Sequence, residues 1–328
     1  MSCRSRWSGP KPDTDMEALL RASIDLAEDR KDKKWSIGFP VVGRTRGEDW
    51  PAAGRMAAAE IPSAPPLPPP PLPFPSGPIA EMLSPSQVNG YIDCSARWHY
   101  KYVRGLPAPS TGKQVRGRAV HALAAFFFRS RMAGLTPESD VLMEAYNEIW
   151  DVESADAVFS AKESPAELHR SGAQLASMYI HGAGGTITPA ATEMAVEGVI
   201  GGVKVRGRVD LMCRDERGTI IDLKTTGRTP SRVSAGNALQ LATYARLTPD
   251  ATGLVQLDSL VTTKTPKLVS LAYQVSDADI KLTETIYPST QDSMRRGIYL
   301  PNRGSFFCSK ANCPFTEACV QEFGGLVE

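Results

Sequence analysis

The sequence lacks a bulk charge of either sign. Its 37 Lys and Arg residues balance 36 Asp and Glu residues, so the formal net charge of the 328 residues is only +1. A field over the whole molecule that attracts polyanions is therefore excluded, and any nucleic-acid contact must come from local clusters of basic residues. The 42% of hydrophobic residues is otherwise ordinary for a globular domain.

Long apolar runs and a secretory pattern are missing too. The longest apolar run, residues 119–128, contains His121 and is far too short to cross a bilayer. The first residues show no basic stretch followed by an apolar one, as a secretory signal would. We therefore expect a cytoplasmic protein with no membrane partner, in which thiols stay reduced. The six cysteines are then better interpreted as metal ligands or core residues than as disulfides.

Composition divides the chain into three parts. Residues 1–61 form an extension of unknown role, in which residues 13–32 are compatible with one amphipathic helix. Residues 62–78 contain ten prolines and predict an extended linker, because proline fixes φ and lacks a donor. This linker is either a passive spacer or a ligand for a proline-recognition domain. Residues 79–328 are predicted to form the folded domain.

Periodicity within this domain changes from helical to strand-like and back. The apolar spacing and capping residues predict helices at 87–103, 113–132, 137–152, 164–181, 235–247 and 276–296. Alternation and turn residues predict strands at 192–200, 203–213, 219–226, 254–263 and 268–275. The order indicates a mixed α/β domain.

The strand segments bring three carboxylates and a lysine together. If Gly201-Gly202 forms a two-residue hairpin loop, an uninterrupted antiparallel register sets Glu193 opposite Asp210. The next turn returns the chain so that Asp222 lies beside Asp210, within about a residue. Lys224 shares the face of Asp222, because side chains on a strand alternate between faces. An ordinary surface ion pair is the alternative interpretation, which the register disfavours.

These residue types predict metal-assisted phosphodiester chemistry. Like charges so close repel each other unless a cation lies between them, and oxygen ligands with room for water suit Mg²⁺ or Mn²⁺. Such an ion polarises a phosphodiester and lowers the pKa of a bound water. The lysine can position or help to deprotonate that water, and it can also stabilise negative charge on phosphorus.

Three ordered motifs carry a family resemblance. Residues 207–210 (Gly-Arg-Val-Asp), residues 221–226 (Ile-Asp-Leu-Lys-Thr-Thr) and residues 240–244 (Gln-Leu-Ala-Thr-Tyr) resemble the PD-(D/E)XK nuclease superfamily. More narrowly, they resemble its RecB-type branch, which includes CRISPR adaptation nucleases and the AddB nuclease domain. The resemblance implies a restriction-endonuclease-like core, a mixed central sheet flanked by helices, with an N-terminal helical part and a C-terminal cysteine tail.

The resemblance also implies roles for single residues. The segment 117–121 (Gly-Arg-Ala-Val-His) resembles a family element whose histidine binds metal. The predicted metal ligands are His121, Asp210, Asp222 and the backbone carbonyl of Leu223. The predicted catalytic residues are Asp210, Asp222, Lys224, Glu193, Gln240 and Tyr244. Gln240 and Tyr244 share one helix face, which the resemblance places against the active site.

Four cysteines form a second candidate site. Cys308, Cys313 and Cys319 are clustered near the end of the sequence, and Cys94 lies more than two hundred residues earlier. Four thiolates could bind a [4Fe–4S] cluster or a structural Zn²⁺, although the close pairs of cysteines typical of zinc sites are missing. The arrangement resembles the iron–sulfur subset of RecB-type nucleases, which implies a cluster that ties the early helix to the tail like a clasp.

A basic stretch follows Cys94. Between Cys94 and Pro137 there are eight Lys or Arg and no Asp or Glu. The residues predicted to contact DNA are Arg97, Lys101, Arg104, Lys113, Arg116 and Arg118. The aromatic residues between them, Trp98, Tyr100 and Tyr102, are candidate stacking platforms for unpaired bases. No feature predicts that specific bases are recognised.

The resemblance favours an exonuclease that acts on DNA ends or single strands in repair, recombination or phage DNA processing. A helicase or recombination protein is a possible partner. The alternative function is a nuclease-derived accessory subunit of such a complex, which holds DNA without cutting it. The acidic set together with Lys224 argues against this alternative, because a protein that does not cut has no need of all of these groups.

Overall fold

A computed structural model describes residues 16–32, 81–215, 218–248 and 251–327. The predicted linker at 62–78 lies outside these residues, and so does the extension at 1–61 except for 16–32. Within the described ranges, no helix is both long and apolar enough to cross a membrane.

Ten helices and eight strands make up the described part of the chain. The helices are α1 (Met16–Asp32), α2 (Pro85–Asp93), α3 (Ser95–Tyr102), α4 (Gly112–Met132), α5 (Ser139–Ser154), α6 (Pro165–His181), α7 (Ala183–Thr186), α8 (Ala235–Leu247), α9 (Asp277–Arg295) and α10 (Thr316–Phe323). The strands are β1 (Met82–Leu83), β2 (Ser110–Thr111), β3 (Ala157–Val158), β4 (Pro189–Ile200), β5 (Val203–Cys213), β6 (Ile220–Thr226), β7 (Leu254–Val261) and β8 (Lys267–Gln274).

Six of the strands form one mixed sheet with the order β1-β5-β6-β7-β8, in which β4 also pairs with β5. The pairs β4–β5, β5–β6 and β7–β8 are antiparallel, whereas β6–β7 and β1–β5 are parallel. The mixed α/β architecture predicted from the sequence is confirmed. The parallel β6–β7 pair is possible because α8 supplies the long crossover that parallel strands require.

Helices cover both faces of the sheet. On β6, Ile221 and Leu223 belong to a core shared with α4, α5 and α6. Ile220 belongs to the core on the opposite face, with Leu241 of α8. The buried strand therefore alternates its side chains between the two helical layers, as strand geometry requires. The helix α1 packs on the α4 side through Leu19.

The hairpin and its register are confirmed. Gly201 and Gly202 form the loop with φ values of 56° and 81°, which are readily adopted only by glycine. Pairing begins at Ile200↔Val203 and keeps the same register as far as Ala191↔Met212. The register therefore places Glu193 across from Asp210.

One helix prediction is wrong. The segment 87–103 is two helices, α2 and α3, which are separated at Cys94 by an extended backbone with φ −159° and ψ 100°. The tail of the chain binds at this break: the Asn302 side chain donates to the Asp93 carbonyl over 2.8 Å, and the Ala96 N–H donates to the Leu300 carbonyl. Such long-range contacts leave no local pattern, so periodicity alone favoured one continuous helix. The helix α2 begins after Ser84, which forms a capping box with Gln87.

Candidate active site

A gap in the sheet positions Asp210. The strand β5 pairs with β4 along one edge, whereas its other edge pairs with β1 at 204–205 and with β6 only at 211–212. Asp210 lies where β5 and β6 separate, and its Oδ2 accepts the backbone N–H of Leu223 over 2.8 Å. The carboxylate of a β5 residue is therefore tied to the backbone of β6 in this gap.

On the α4 side of the gap, three ligand-type side chains converge. His121, Glu193 and Asp210, here called the ligand group, each offer one donor atom, and these atoms lie within 4.8 Å of one another. In the part of the chain that the structure describes, no other group of His, Cys, Asp or Glu is this compact. The His121 Nδ1 lies 3.4 Å from the Asp210 Oδ1. The three residues line a cavity of about 260 Å³.

Glu193 has an unusual backbone. Its φ of 49° is the only positive value for a residue other than glycine in the described ranges. A left-handed conformation at such a residue costs on the order of 1–3 kcal/mol and is typical of functional sites. The Glu193 side chain is buried, with its Oε2 3.6 Å from the Arg208 Nη1. Sequence analysis placed this residue across from Asp210 but gave no sign of the strain.

On the α8 side lies a second set, Asp222, Lys224, Gln240 and Tyr244, here called the lysine network. The Lys224 Nζ lies 2.7 Å from the Asp222 Oδ2 and donates to the Gln240 Oε1 over 3.2 Å. The Gln240 Nε2 donates to the Asp222 Oδ1 over 2.9 Å and to the Tyr244 hydroxyl over 2.8 Å. The four residues thus hold one another in a single arrangement. Asp222 lies outside the compact ligand group, although sequence analysis predicted it to be a metal ligand.

Burial and neighbouring charges move the pKa values of the two aspartates apart. Burial would raise the pKa of Asp210, but the His121 ring, the Lys224 ammonium and the Leu223 N–H outweigh it, so this pKa is lowered. For Asp222, burial and the Asp210 charge outweigh the opposing effect of Lys224, and its pKa is raised. Burial would lower the pKa of Lys224, but the two carboxylates outweigh it and raise this pKa. Neighbouring carboxyls with opposite shifts are suited to different chemical roles.

Two motif glycines let helices approach the site. A Cβ on Gly207 would lie 2.6 Å from the Cε1 of Tyr244, so the tyrosine ring packs directly on this strand position. A Cβ on Gly117 would lie 2.9 Å from the Oγ1 of Thr225, so α4 approaches β6 closely there. Gly207 therefore allows Tyr244 of α8 to pack against β5. Gly117 allows α4, which carries His121, to approach β6.

Sequence analysis missed an additional pair beside the ligand group. Tyr179 of α6 lines the same cavity, and its hydroxyl donates to the Asp258 Oδ2 over 2.9 Å. Asp258 is fully buried on β7 and also accepts from Gln256 and Ser270. In the sequence, the only sign of this residue was a carboxylate in the middle of an apolar strand. Its position behind the site depends on the parallel pairing of β6 with β7. Leu223, whose carbonyl was a predicted ligand, lines this cavity as well.

The four cysteines of the second candidate site meet around one cavity. Cys94 at the break between α2 and α3 and the tail residues Cys308, Cys313 and Cys319, together called the cysteine clasp, line a cavity of about 350 Å³. Cys213 is a separate, partly buried residue, and Cys3 lies outside the described residues. Burial raises the pKa of the Cys313 and Cys319 thiols.

The basic stretch is less available than the sequence suggested. Arg118 donates to the buried Glu153 and to Ser110, and Arg104 is paired with Glu322 over 3.1 Å. Arg97 is paired with Asp93 over 3.1 Å. Arg116 donates to Ser171, whereas Lys101 and Lys113 are exposed on the surface.

The expected stacking platforms in this stretch are mostly wrong. Trp98 is only 3% exposed and Tyr100 only 1%, because both pack in the cores that join α3 to the tail. Tyr102 is partly buried against Trp98. Trp98 and Tyr100 therefore present no free ring face of the kind that an unpaired base requires.

Comparison with known proteins agrees with the fold. A family model described as the PD-(D/E)XK nuclease superfamily matches residues 82–320. A provisionally assigned exonuclease from Eubacterium rectale has a similar structure, with a TM-score of 0.50 and 12% identity over 76% of this chain and 90% of that chain. The protein SSO0001 has a TM-score of 0.36 and 14% identity over 74% of this chain and 88% of that chain. At 12% identity, the likeness to the Eubacterium rectale protein concerns the fold alone. No curated protein sequence matches this chain significantly.

Proposed function

Because the chain belongs to the PD-(D/E)XK nuclease superfamily, we propose that it is a metal-dependent DNA nuclease of the RecB-type branch. We assign it an exonuclease activity on DNA ends or single strands, without sequence specificity. Its role would be in repair, recombination or phage DNA processing, beside a helicase or recombination protein. The observation that carries the proposal is the compact ligand group beside the lysine network.

The ligand group fits a divalent cation. One imidazole nitrogen and two carboxylates lie close enough to share an ion. The nitrogen donor suits Mn²⁺ better than Mg²⁺, which prefers oxygen ligands alone. A bound ion would polarise the scissile phosphate and lower the pKa of a coordinated water. Asp222 and the Leu223 carbonyl, next to Asp210 on the neighbouring strand, would complete the ligand set.

The lysine network would act on the reacting atoms. Hydrolysis forms a bond from the water oxygen to phosphorus and breaks the bond to a sugar oxygen, which leaves with a proton. The Lys224 ammonium lies 2.7 Å from the Asp222 carboxylate, and we assign it to orienting the water and stabilising negative charge on the phosphate. Gln240 holds the ammonium in place through its Oε1, and Tyr244 holds Gln240.

Cleavage of labelled single-stranded DNA in the presence of Mn²⁺ tests this proposal. We expect Asp210→Ala and Lys224→Ala each to lower the rate by about a hundredfold or more, since they remove a ligand and a charge-stabilising donor. Asp151→Ala, which alters an exposed carboxylate on α5, should cleave as the unmodified protein does. Retained cleavage in both site variants would refute the site. DNA binding without any cleavage by the unmodified protein would support the accessory-subunit alternative.

We also propose that the cysteine clasp holds a [4Fe–4S] cluster. The four thiols line one cavity, and four thiolates are the ligand set that such a cluster takes. The close pairs of cysteines typical of zinc sites are missing from the sequence. A cluster would cross-link Cys94, between α2 and α3, to the tail.

Colour distinguishes the two cofactors. An anaerobic preparation with the cluster should be brown and absorb near 400 nm (roughly, as thiolate-bound clusters do). A colourless preparation with one zinc per chain would overturn the cluster. Neither result bears on the cleavage assay with Asp210→Ala, so the two proposals stand or fall separately.

A further inference from the structure

Two neighbouring phenylalanines stand out on the surface beside the cysteine clasp. Phe306 is 71% exposed and Phe307 is 45% exposed, and their ring centroids lie 5.5 Å apart with the planes at 79°. In the part of the chain that the structure describes, no other Phe, Trp or Tyr is classed as exposed. Exposed rings of this size forgo a large burial free energy, so a pair of them marks a contact surface.

Each ring of this phenylalanine pair carries an arginine. The Arg97 guanidinium lies 4.5 Å from the centroid of the Phe307 ring, and the Arg228 guanidinium lies 5.7 Å from that of Phe306. A guanidinium stacked over a ring face keeps its positive charge there. Since Arg97 is also paired with Asp93, the surface presents two exposed apolar rings with the Arg228 cation and the Arg97–Asp93 ion pair beside them.

Arg228 connects this surface to the active site. It follows Lys224 by four residues, so the two Cα atoms are at most about 14 Å apart, the span of four extended residues. The Thr226 side chain accepts the Arg228 N–H and donates to the Arg228 carbonyl, both over 3.1 Å, so the position of Arg228 is tied to the end of β6. Stacked nucleotides of one strand rise about 3.4 Å each, so about four would cover this distance.

We propose that the phenylalanine pair is a stacking platform for unpaired bases of a DNA strand whose backbone enters the active site. A base in a duplex has both faces covered by its neighbours, whereas an unpaired base can place a face on a ring, and the neighbouring arginines match the phosphates that flank it. The platform would select single-stranded DNA over duplex. This inference rests on the proposed nuclease function and names its substrate.

The position of the phenylalanine pair favours a nucleic acid strand over a protein partner. Arginine and phenylalanine also occur together in protein interfaces, but Arg228, which lies over Phe306, is tied to the end of β6 four residues after Lys224. The residues that sequence analysis expected to stack, Trp98 and Tyr100, are buried in the core behind this surface. The stacking function is thus moved from α3 to the tail that packs on it.

Binding without cleavage tests the platform directly. Fluorescence anisotropy of a labelled oligothymidylate, measured in EDTA, would be compared with that of a blunt duplex. Phe306→Ala should weaken binding of the single strand by roughly 5- to 100-fold, the range expected for one lost base–aromatic stack, and leave duplex binding unchanged. Phe306→Trp should restore single-strand binding. Leu282→Ala, an exposed apolar residue on α9, is the matched control.

Three results would overturn the platform: unaltered single-strand binding by Phe306→Ala, an equal loss for single strand and duplex, or no single-strand binding by the unmodified protein. Phe306 does not line the cysteine cavity, whereas Phe307 does, so the Phe306 variants leave the clasp intact, which unchanged absorbance near 400 nm would verify. The nuclease assay distinguishes the two proposals. Selective loss of single-strand binding in a protein that never cleaves would keep the platform and refute the nuclease.

Discussion

The active site and the cysteine clasp are built in opposite ways. The ligand group and the lysine network lie on adjacent strands and on the helices packed against them, with most contacts made by neighbours in the sheet. The clasp joins two short helices to an irregular tail through side-chain-to-backbone bonds between residues more than two hundred positions apart. Regular secondary structure therefore fixes the chemistry, whereas isolated long-range contacts fix the clasp.

Variants that remove one of the two sites and leave the other intact should give the largest effects. Lys224→Ala should abolish cleavage while keeping absorbance near 400 nm, because its contacts lie within the sheet and α8. Cys313→Ser should remove that absorbance and lower the melting temperature, while the folded fraction still cleaves with Mn²⁺. Absorbance spectra and cleavage rates per folded molecule measure both.

Cys213→Ser is the control for the clasp variant, since Cys213 lies on β5 away from the clasp cavity. It should keep the absorbance near 400 nm. The comparison between the two regions fails if Cys313→Ser loses cleavage as completely as Lys224→Ala does in molecules that remain folded.

A substitution that disturbs the close packing of Tyr244 on β5 should give the next largest effect. Gly207→Ala places a methyl group 2.6 Å from a ring carbon that cannot rotate away easily. Overpacking of this kind costs about 1–3 kcal/mol, and the tilted ring would release Gln240, so the cleavage rate should fall as well. Urea unfolding and cleavage assays measure the two effects.

Gly90→Ala on α2 is the matched control for this packing. A Cβ there meets nothing within 4 Å, and alanine favours a helix over glycine by up to about 1 kcal/mol. This variant should be as stable as the unmodified protein or more so. Equal stability of the Gly207 and Gly90 variants would show that Tyr244 does not depend on the glycine.

Acid should give an effect no larger than that of the Gly207 substitution, and it should act on the clasp side. Burial lowers the pKa of His99 from about 6.5 to about 4, and its ring stacks 4.2 Å from that of Tyr299. Because the unfolded chain binds the proton more readily, this stability is complete above pH 6.5 and is lost as the pH falls towards 4. At about 1.4 kcal/mol for each pKa unit, the loss is at most about 3 kcal/mol.

Urea unfolding at several pH values, compared with His99→Phe, measures this contribution. The variant keeps a ring but no titrating group, so its stability should fall less between pH 6.5 and pH 4. His181→Ala, at an exposed histidine, should follow the unmodified protein. A parallel pH dependence in His99→Phe would assign the acid sensitivity to other groups.

The difference between the active site and the cysteine clasp also explains which features could be predicted from the sequence. The Gly201-Gly202 loop fixes the register, so the approach of Glu193, Asp210 and Asp222 followed from strand alternation and turn chemistry. The left-handed backbone of Glu193 could not be predicted, since the strain at that residue is imposed by its surroundings. Asp258 was missed because its place behind the site depends on a parallel pairing across α8.

On the clasp side, prediction failed where long-range packing decides the structure. The helical pattern at 87–103 gave no sign that Asn302 and Leu300 bind at Cys94. The aromatic and basic interleaving of α3 resembled a DNA-binding surface, but the tail covers Trp98 and Tyr100. Residue type alone does not tell a covered ring from an exposed one.

The separation of Tyr100 from the tail residues that it contacts, 218 positions along the chain at Ala318, also has a consequence for biosynthesis. A ribosome delivers α2 and α3 long before α10, so their apolar surfaces wait uncovered while the sheet forms. Contacts of such sequence separation form slowly. The unclasped intermediate should therefore expose the apolar surfaces of α2 and α3 until the tail has packed on them.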